Sequence, residues 1–583
     1  MSRFVQRALL FSFPMLAAVA ALVVSAQENS SQIPSVTIRT STRMVLVDVV
    51  VTKKGQPVTG LQADDFVVEE NGKKQKVSVF VPPQASRTQP APPPPGILSN
   101  HPESVGPAVT PTILLLDALN SPFKEQAYAR SQMLKYVAEQ GESGRPMAVL
   151  ALGERLHVLQ QFTSDPQVLL TAIKNFRPGQ PILQPSPPAA ASAVPANMEG
   201  PGSGIALAIA NAQGELASFS NLQVGYELER RTTITIEAMR TLTRMLGGLP
   251  GRKNVVWLTA DLPFDLIPED RTITEEQLMA DLPGQGRQRP VGVNAAGSIA
   301  AQQRELHNAE IRDAEARLAS ANISIYPVDL RGLLAGTEGQ ASQSSGHTSE
   351  LHGASLANAA LAQGGGLEAS HATMEEVAAE TGGRAFFNQN EIKVGVALAA
   401  ADDQASYTLG YYPENKKWDG KYHTIKVKVA RPDTQVRYRK GYFAVDPALT
   451  KEAHYDRDLL SAIEFSAPAT QVSFMAQSTP VEPGKIRVVF LVDAHTLNAE
   501  DSGGNKRLNV NLYAFAYDAN GRNLGSRSTK VDRAFDAATF QQILDKGMMV
   551  PIDMDVPKGA TQLRLAVLDN KTGFIGTVSG PLE

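Results

Sequence analysis

The chain has 583 residues and a formal net charge of -4, with 55 Lys and Arg against 59 Asp and Glu. This length supports three or four domains, and the lack of a long basic run argues against nucleic acid as a partner, because phosphate binding needs clustered Lys and Arg. The absence of cysteine excludes disulfides, thiol catalysis, iron–sulfur clusters and cysteine-zinc sites, and leaves stability to the burial of side chains.

The N-terminus has the pattern of a secretion signal. Arg3 and Arg7 supply positive charge, Ala8–Val24 is mostly apolar, and Val24-Ser25-Ala26 suits cleavage. We therefore predict a signal peptide over residues 1–26 and export of the mature chain to the periplasm or the extracellular space.

An uncleaved membrane anchor is the alternative interpretation of this segment. It ranks second because Pro14 interrupts the apolar run. No later segment reaches the roughly 18 apolar residues that a spanning helix needs, so we expect no membrane span after signal removal. A chain that is exported without cysteine also fits the envelope of a Gram-negative bacterium better than an animal extracellular matrix.

Residues 36–80 have the pattern of a small β-sandwich. Met44–Thr52 is rich in β-branched residues, and Asn71-Gly72 between two strand-like segments is a strong hairpin signal. Residues 81–111 are rich in proline, which predicts an extended, semi-rigid linker. We interpret the small sandwich as a spacer rather than a catalytic unit.

Strand and helix patterns alternate over residues 112–405, which predicts an α/β domain with a doubly wound, mostly parallel sheet and helices on both faces. Ile113–Leu116 and Val255–Leu258 are apolar throughout, so we predict that they are adjacent central strands. Insertions over residues 178–225 and 333–370 interrupt the pattern with low-complexity sequence. The predicted strands are 112–116, 147–152, 156–162, 254–259, 323–328 and 384–387, and the predicted helices are 123–139, 166–175, 231–246, 305–319, 373–380 and 392–402.

The C-terminal part returns to β patterns. Residues 406–446 predict a β extension, residues 451–463 a helical connector, and residues 470–583 a second β-sandwich, because several strand candidates recur at regular spacing. His347, His352 and His371 lie in or beside the second insertion, and their spacing fits no compact zinc pattern.

Asp117, Asn120 and Ser121 follow a buried strand directly. Ser121 suits a helix N-cap, and Pro122 suits the first helical position. A carboxylate, an amide and a hydroxyl therefore converge at the carboxyl end of a strand, which is the edge where open α/β sheets bind ligands. The segment resembles the metal-binding loop of von Willebrand factor A domains, whose motif is Asp-x-Ser-x-Ser, with Leu119 in place of the first serine.

A wider resemblance is to bacterial VWFA-related domain proteins, which are abundant in acidobacteria. It implies an exported protein with an A-type fold, flanked by β modules, and a binding role rather than a reaction. The segments that carry the resemblance are Met44–Val51, Leu61–Glu70, Leu114–Ser121, Leu249–Leu258, Tyr407–Tyr412, Gly420–Val429 and Gly441–Phe443.

The resemblance also implies a metal site. In intact A domains the Asp-x-Ser-x-Ser loop, a threonine from a second loop and an aspartate from a third hold Mg²⁺, and a ligand carboxylate completes the coordination. Leu119 and Ala260 stand at two of these positions and offer no side-chain oxygen, so we predict a degenerate site that binds Mg²⁺ weakly, if at all. The alternative is that the loop caps a helix and satisfies amides without a metal. The residues assigned to the site by resemblance are Asp117, Ser121, Thr232, Thr233 and Asp261.

The sequence contains no Gly-x-Ser-x-Gly elbow, no His-Glu-x-x-His and no cysteine nucleophile. We therefore predict a protein that is not an enzyme, with no catalytic residues and no cofactor other than weakly bound Mg²⁺. The predicted function is binding or scaffolding of a protein partner in the envelope or the extracellular space. Two alternatives stay open, a secreted hydrolase that uses paired carboxylates and an accessory protein of envelope assembly.

Overall fold

The computed structural model describes residues 44–83, 94, 96–102, 110–140, 146–177, 226–263, 310–331 without 311, 312 and 315, 370–387, 392–414, 421–444 and 455–582. The predicted signal peptide, the first insertion, nearly all of the second insertion and most of the proline-rich linker lie outside the described residues. His347 and His352 lie outside them as well.

The chain forms several sheets and a set of helices. The first strands are β1 Val45–Lys53, β2 Gln56–Pro57, β3 Phe66–Glu70, β4 Lys73–Gln75, β5 Val77–Val81 and β6 Ile97–Ser99. The middle part contains β7 Thr112–Asp117, α1 Phe123–Gln140, β8 Met147–Leu152, β9 Leu156–Thr163, α2 Pro166–Asn175, α3 226–246, β10 Lys253–Thr259, α4 316–320, β11 Ile323–Asp329, α5 370–381 and α6 Ile392–Gln404.

The last part contains β12 Ser406–Tyr411, β13 Tyr422–Val429, β14 Gln435–Arg437, β15 Gly441–Phe443, α7 Tyr455–Glu464, β16 Phe474–Glu482, β17 Lys485–Val492, β18 Glu500–Ser502, β19 Asn505–Tyr517, β20 Asn523–Phe535, α8 Ala537–Lys546, β21 Met548–Asp555, β22 Gln562–Asp569 and β23 Ile575–Pro581. Within the described residues, none of the helices is long and apolar enough to cross a membrane.

The middle part is built on one five-stranded sheet with the order β11-β10-β7-β8-β9. Strands β11, β10, β7 and β8 pair in parallel, and β9 is an antiparallel edge. The predicted adjacency of the two apolar runs is confirmed, because Val255 pairs with Ile113 and Leu258 with Leu116. Every residue of the four parallel strands is buried, as strands covered on both faces must be.

Helices pack on both faces of this sheet. Side chains from α3, α4 and α5 share a core with Ile113 and Leu115. Side chains from α1, α2 and α6 share another core with Leu114 and Leu116. Successive residues of β7 therefore serve opposite cores, which is the period of two that a strand imposes. The strand predicted over residues 384–387 is reduced, in the described part, to a single bridge between Val328 and Phe386.

The described residues within 36–80 and 406–446, which sequence patterns assign to separate modules, share two sheets. One sheet has the order β14-β1-β12-β5, with β2 on β1, and the other has the order β15-β13-β3-β4. Strand β1 runs antiparallel to β12, with Val45 opposite Tyr411, and β3 runs antiparallel to β13. The two segments thus close one core, in which Val47, Val49 and Tyr407 are fully buried.

The C-terminal part also has two sheets around a shared core. Their orders are β21-β17-β16-β6 and β18-β19-β22-β23, with β20 paired to β19. Strand β6 comes from the predicted linker 81–111 and pairs with β16. Asn100 fixes this junction, because its Nδ2 donates to the backbone oxygens of Ala469 (2.7 Å) and Val472 (2.8 Å) and its Oδ1 accepts from the backbone N–H of Phe474 (2.8 Å). Residues 97–100 of the predicted linker are therefore part of the C-terminal module.

The end of α3 is attached to the start of the C-terminal module by backbone contacts. The backbone N–H of Thr470 donates to the backbone oxygen of Arg244 (2.8 Å), and its hydroxyl donates to that of Met245 (2.8 Å). Gly248 donates its backbone N–H to the Thr470 hydroxyl oxygen (2.8 Å). A Cβ atom at Gly248 would lie 1.8 Å from the Thr470 carbonyl oxygen, so this contact requires glycine.

An ionic cluster supports the same contact. Arg244 donates to the Glu237 carboxylate (2.5 Å) and to the Ser461 hydroxyl of α7 (3.1 Å), and Ser461 donates to Glu237 (2.9 Å). Asp458 lies 3.7 Å from Arg244. Burial raises the pKa of Glu237, but Arg244, Ser461 and Arg240 outweigh it and hold that pKa below its ordinary value. The ionised carboxylate therefore joins α3 to α7.

A second polar cluster joins the central sheet to the module that β1–β5 and β12–β15 form together. Arg252 donates to the hydroxyl of Tyr326 on β11 (2.8 Å), which donates to Asp402 on α6 (2.9 Å). Asp402 also pairs with Arg437 on β14. Burial raises the pKa of Tyr326 to about 12, so its hydroxyl stays neutral and keeps its role as a donor.

We expect Gly248→Ala to lower the melting temperature strongly, because the added Cβ meets a backbone oxygen that cannot move without breaking the contact of α3 with Thr470. Overpacking of this kind costs about 3 kcal/mol. The matched control is Gly153→Ala, where a Cβ would meet nothing within 4 Å. Differential scanning calorimetry should separate the two variants, and equal melting temperatures would contradict the proposed contact.

We expect the stabilisation from Glu237 to disappear in acid. A carboxylate whose pKa is lowered by folding contributes stability above its unfolded pKa, and this contribution is lost as pH falls through the folded pKa. The difference in melting temperature between the wild type and Glu237→Gln should therefore be largest above about pH 5 and shrink below the ordinary pKa of 4.5. Glu482→Gln, which removes an exposed carboxylate, should show no such trend. A pH-independent difference for Glu237→Gln would rule out the ionic role.

Candidate functional site

Three adjacent parallel strands end in polar residues. Strand β7 ends at Asp117, β10 at Thr259 and β11 at Asp329. Because parallel strands point the same way, their carboxyl ends and the loops that follow meet along one side of the sheet. We call this side the strand-end edge, and we call residues 117–121 the Asp117 loop.

The Asp117 carboxylate is fully buried and receives five hydrogen bonds. A carboxylate offers about four lone-pair directions, so both oxygens are saturated. The Oδ1 atom accepts from the backbone N–H groups of Leu119 (3.1 Å) and Asn120 (2.8 Å). The Oδ2 atom accepts from Asn120 Nδ2 (2.9 Å), Trp257 Nε1 (2.9 Å) and Thr259 Oγ1 (3.0 Å).

Burial raises the pKa of Asp117 above its ordinary value, and the hydrogen bonds from Asn120, Trp257 and Thr259 oppose that rise. All five groups around the carboxylate act as donors, which is the environment that suits its ionised form. In this structure Asp117 therefore holds the loop that follows β7 against strand β10.

Ser121 ties the same loop to the segment that follows β10. Its hydroxyl oxygen accepts from the backbone N–H of Ala260 (3.0 Å), and both residues are buried. Gln126 closes the loop from the other side by donating to the backbone oxygens of Ser121 (2.8 Å) and Ala118 (3.0 Å). Leu119 points away from these groups and packs in the hydrophobic core.

The two threonines assigned to the site by resemblance do not reach the Asp117 loop through any described hydrogen bond. Thr232 donates its hydroxyl to the backbone oxygen of Leu228 (2.8 Å), and Thr233 is exposed. Thr235 is the threonine of α3 that contacts this loop, since Asn120 Nδ2 lies 3.3 Å from its Oγ1. The correction follows from helix geometry, because residues 232, 233 and 235 point in different directions on α3 and one face alone meets the loop.

Arg231 contacts this loop from the same helix. Its Nε donates to Asn120 Oδ1 (2.8 Å), and its Nη2 lies 3.5 Å from Asp261 Oδ2. The Asn120 amide thus faces the Asp117 carboxylate with its NH₂ group and the guanidinium with its oxygen. Asp261, predicted as a displaced metal ligand, is instead the ion-pair partner of Arg231.

Asp329 is the centre of a second group on the strand-end edge. Its Oδ2 lies 2.6 Å from His371 Nε2, and its Oδ1 accepts from Arg331 Nε (2.9 Å). Arg331 also donates to Ser370 (3.0 Å), and the His371 ring stacks on Phe387 at 4.1 Å between centroids. His371, which the sequence placed beside a low-complexity tract, therefore belongs to this edge.

These residues, as arranged, do not fit a Mg²⁺ ion. The Asp117 oxygens are saturated by protein donors, Leu119 is in the core, and Asp261 faces a guanidinium. Mg²⁺ requires oxygen ligands in near-octahedral geometry. Among the described residues, no three His, Asp or Glu side chains come together in a way that could hold a metal ion. The positive charge near the Asp117 loop is supplied by Arg231.

Two large apolar side chains are exposed beside this edge. Phe123 at the start of α1 is 55% exposed, and Tyr226 at the first described residue of α3 is 71% exposed. Tyr226 precedes Arg231 by five residues, about 7.5 Å along the helix. Two described cavities, of about 30 and 20 Å³, lie in other parts of the molecule and have room for about one or two waters each.

The sequence did not reveal several groups of this site. Trp257, Arg231 and Thr235 all contact the Asp117 loop or its carboxylate, but they come from a strand and a helix far along the chain. Two local signals pointed to them. Trp257 places a polar N–H inside an otherwise apolar buried strand, and Arg231 and Thr235 are four residues apart, which places them on one helix face.

No protein-family model and no curated protein matches the chain. Among solved structures, it is similar to a von Willebrand factor type A protein from Catenulispora acidiphila, at 9% identity over 93% of this chain and 74% of that chain, with a TM-score of 0.19. It is also similar to an endonuclease/exonuclease/phosphatase from Beutenbergia cavernae DSM 12333, at 10% identity and a TM-score of 0.12. That likeness covers 31% of this chain and 38% of the other, so it spans under half of that protein. Likenesses at these TM-scores carry no argument about function.

We expect Asp117→Ala to destabilise the protein by about 3 kcal/mol or more, because several buried donors lose their acceptor and each costs about 1–3 kcal/mol. Asp165→Ala is the control, since Asp165 accepts two backbone N–H groups at the exposed start of α2 and such a cap is worth about 1 kcal/mol. Chemical denaturation followed by tryptophan fluorescence should report the difference, because Trp257 contacts Asp117 directly. Equal destabilisation by the two changes would show that the Asp117 bonds contribute little.

Proposed function

We propose that this chain is an exported binding or scaffold protein with a von Willebrand factor A-like, doubly wound domain, and that its strand-end edge contacts a protein partner. The parallel order β11-β10-β7-β8 and the helices on both faces support the fold assignment. The signal-like N-terminus supports export to the periplasm or the extracellular space. The near-neutral charge favours protein over nucleic acid as the partner.

The observation that carries the proposal is the exposure of Phe123 and Tyr226 beside a hydrogen-bonded edge that also presents Arg230 and Arg231. Interface cores are enriched in aromatic residues and arginine relative to the rest of the surface. The Asp117 loop holds this edge in place through buried hydrogen bonds, so binding does not have to order it. A preorganised surface of this composition suits protein recognition.

We propose binding rather than catalysis because the polar groups of the edge are engaged with one another. Ser370 accepts a hydrogen bond from Arg331, and its hydroxyl lies 3.5 Å from the Ala260 carbonyl. His371 is paired with Asp329. A hydrolase needs a nucleophile or an activated water beside a base. The hydroxyl next to His371 in sequence, that of Ser370, is held by Arg331.

A hydrolase remains the second candidate because of one observation, the 2.6 Å contact of His371 Nε2 with the buried Asp329 carboxylate. A buried carboxylate that orients an imidazole is also found where histidine acts as a general base. Hydrolysis of chromogenic ester or glycoside substrates that is lost in His371→Gln would favour this candidate. Equal hydrolysis by the wild type and by His371→Gln would favour the binding function.

The binding proposal predicts that Phe123→Ser and Tyr226→Ser weaken capture of a partner from envelope extract by at least tenfold, since truncation of an interface anchor costs about 2 kcal/mol. Leu460→Ser and Met549→Ser are matched controls, because these residues are 56% and 60% exposed but lie in the C-terminal part. The captured protein is identified by mass spectrometry. The affinity of each variant for the purified partner is then measured. The proposal fails if the controls weaken capture as much as the strand-end variants do.

A further inference from the structure

Strand β6 belongs to a module that is distant from it in sequence. Along the chain it lies between β5 and β7, which are strands of two other sheets. It nevertheless pairs with β16, with Ile97 opposite Gln477 and Ser99 opposite Met475. The C-terminal module therefore takes one of its edge strands from a distant segment of the chain.

Two glycines of β23 make room for this strand. A Cβ atom at Gly580 would lie 2.2 Å from Leu98 Cδ2. A Cβ atom at Gly576 would lie 2.9 Å from Asn100 Nδ2. We call the space between β16 and β23 that Leu98 and Asn100 fill the seam. Its shape is matched to these two side chains.

Asn100 is the polar anchor of the strand, and Leu98 is the apolar anchor. The Asn100 side chain is fully buried and forms the hydrogen bonds with Ala469, Val472 and Phe474 described above. Its backbone N–H also donates to the Phe474 carbonyl oxygen (3.3 Å). Leu98 packs against the core of the C-terminal module. Two side chains, two residues apart, thus carry the fit.

The paired segment is short and has long connections. Strand β6 is the last strand of its sheet and has three residues. The chain turns just before it, since the Ile97 N–H donates to the Pro94 carbonyl oxygen (3.1 Å) and Gly96 has a φ of 81°. Residues 82–96 and 100–111 connect it to β5 and β7, and each segment can span about 40 Å or more. The strand can therefore leave the seam while every other strand keeps its pairing.

We propose that β6 is an exchangeable strand and that the seam binds residues 97–100 of a second copy of this chain. In the exchanged pair, each copy places its own strand in the seam of the other. The occupant is a second copy because the seam fits this sequence, a leucine followed two residues later by an asparagine. The contacts of the strand are the same in both forms, and both seams stay filled.

Concentration decides between the two forms. A strand that is tethered to its own seam competes at an effective concentration on the order of 1 mM. Dilute chains therefore keep their own strand, and exchange is favoured where copies are crowded. Self-association at the seam uses no residue of the strand-end edge, so it is a second interaction of the chain, separate from capture of a partner.

The test uses two variants that complement each other. The strand-defective variant, Leu98→Ser with Asn100→Ala, loses both anchors but keeps an open seam. The seam-blocked variant, Gly580→Val, keeps an intact strand, and the three atoms nearest to its added Cβ all belong to Leu98. We expect an equimolar mixture to form a dimer in sedimentation velocity and each variant alone to stay monomeric, because only the mixture joins a displaced intact strand to an open seam.

Gly153→Val is the matched control for the seam-blocked variant, since a Cβ there would meet nothing within 4 Å. A copy with this change keeps its strand in its own seam, so its mixture with the strand-defective variant should stay monomeric. Circular dichroism of each variant checks its folding.

A labelled peptide of residues 96–101 provides a second measurement on the strand-defective variant. We expect fluorescence anisotropy to show binding at least about tenfold tighter than that of a peptide with the same two substitutions at Leu98 and Asn100. If this variant is unstable, the natural peptide should raise its melting temperature, because a ligand that binds the folded state stabilises it.

The inference is overturned if the mixture of the strand-defective and seam-blocked variants stays monomeric, or if Gly153→Val gives as much dimer as Gly580→Val. It is also overturned if the natural peptide neither binds nor stabilises the strand-defective variant. Equal binding of the two peptides would show that the seam accepts any extended segment, which rejects a second copy as its specific occupant. Phe123→Ser, which should weaken partner capture, should leave the dimer unchanged, so the two proposals can fail separately.

Discussion

The strand-end edge depends on one buried carboxylate. Asp117 has given up its contact with water and is stabilised by five donors from its own loop and from strand β10. The Trp257 Nε1 and the backbone N–H groups of Leu119 and Asn120 would lose this acceptor if the carboxylate were absent, and an unmade buried hydrogen bond is costly. The same contacts fix Asn120, which in turn orients Arg231. The position of this largely buried guanidinium therefore follows from an interaction that solvent does not reach.

The sequence located the five strands of the central sheet because their signal is local. Strands such as β7 and β10 are continuous apolar runs, since both faces are covered, and helix α2 begins with Asp165 and Pro166, a capping signal. Asp117 and Ser121 were identified for the same reason, because a polar group directly after an apolar run marks a strand end. Arg231 and Trp257 could not be assigned to them, since their contacts depend on how distant elements meet.

The β modules show the same limit on a larger scale. Alternating patterns located β1 and β12 as strands, but antiparallel pairing between residues on either side of the α/β part has no local signature. The proline-rich composition of residues 81–111 suggested a linker and concealed β6, whose short pairing with β16 is fixed by Asn100. For β1 and β12 the sequence showed the type of element but not its partner, and for β6 it showed neither.

Helix α3 carries Arg231 near one end and Arg244 at the other, about 20 Å apart at 1.5 Å per residue. The first end meets the Asp117 loop, and the second is bonded to Thr470 and Ser461 of the C-terminal part. Tension on the C-terminal module would consequently pass along the helix axis to the strand-end edge. Helix α3 would then act as a rigid link that carries a load between the C-terminal module and the Asp117 loop.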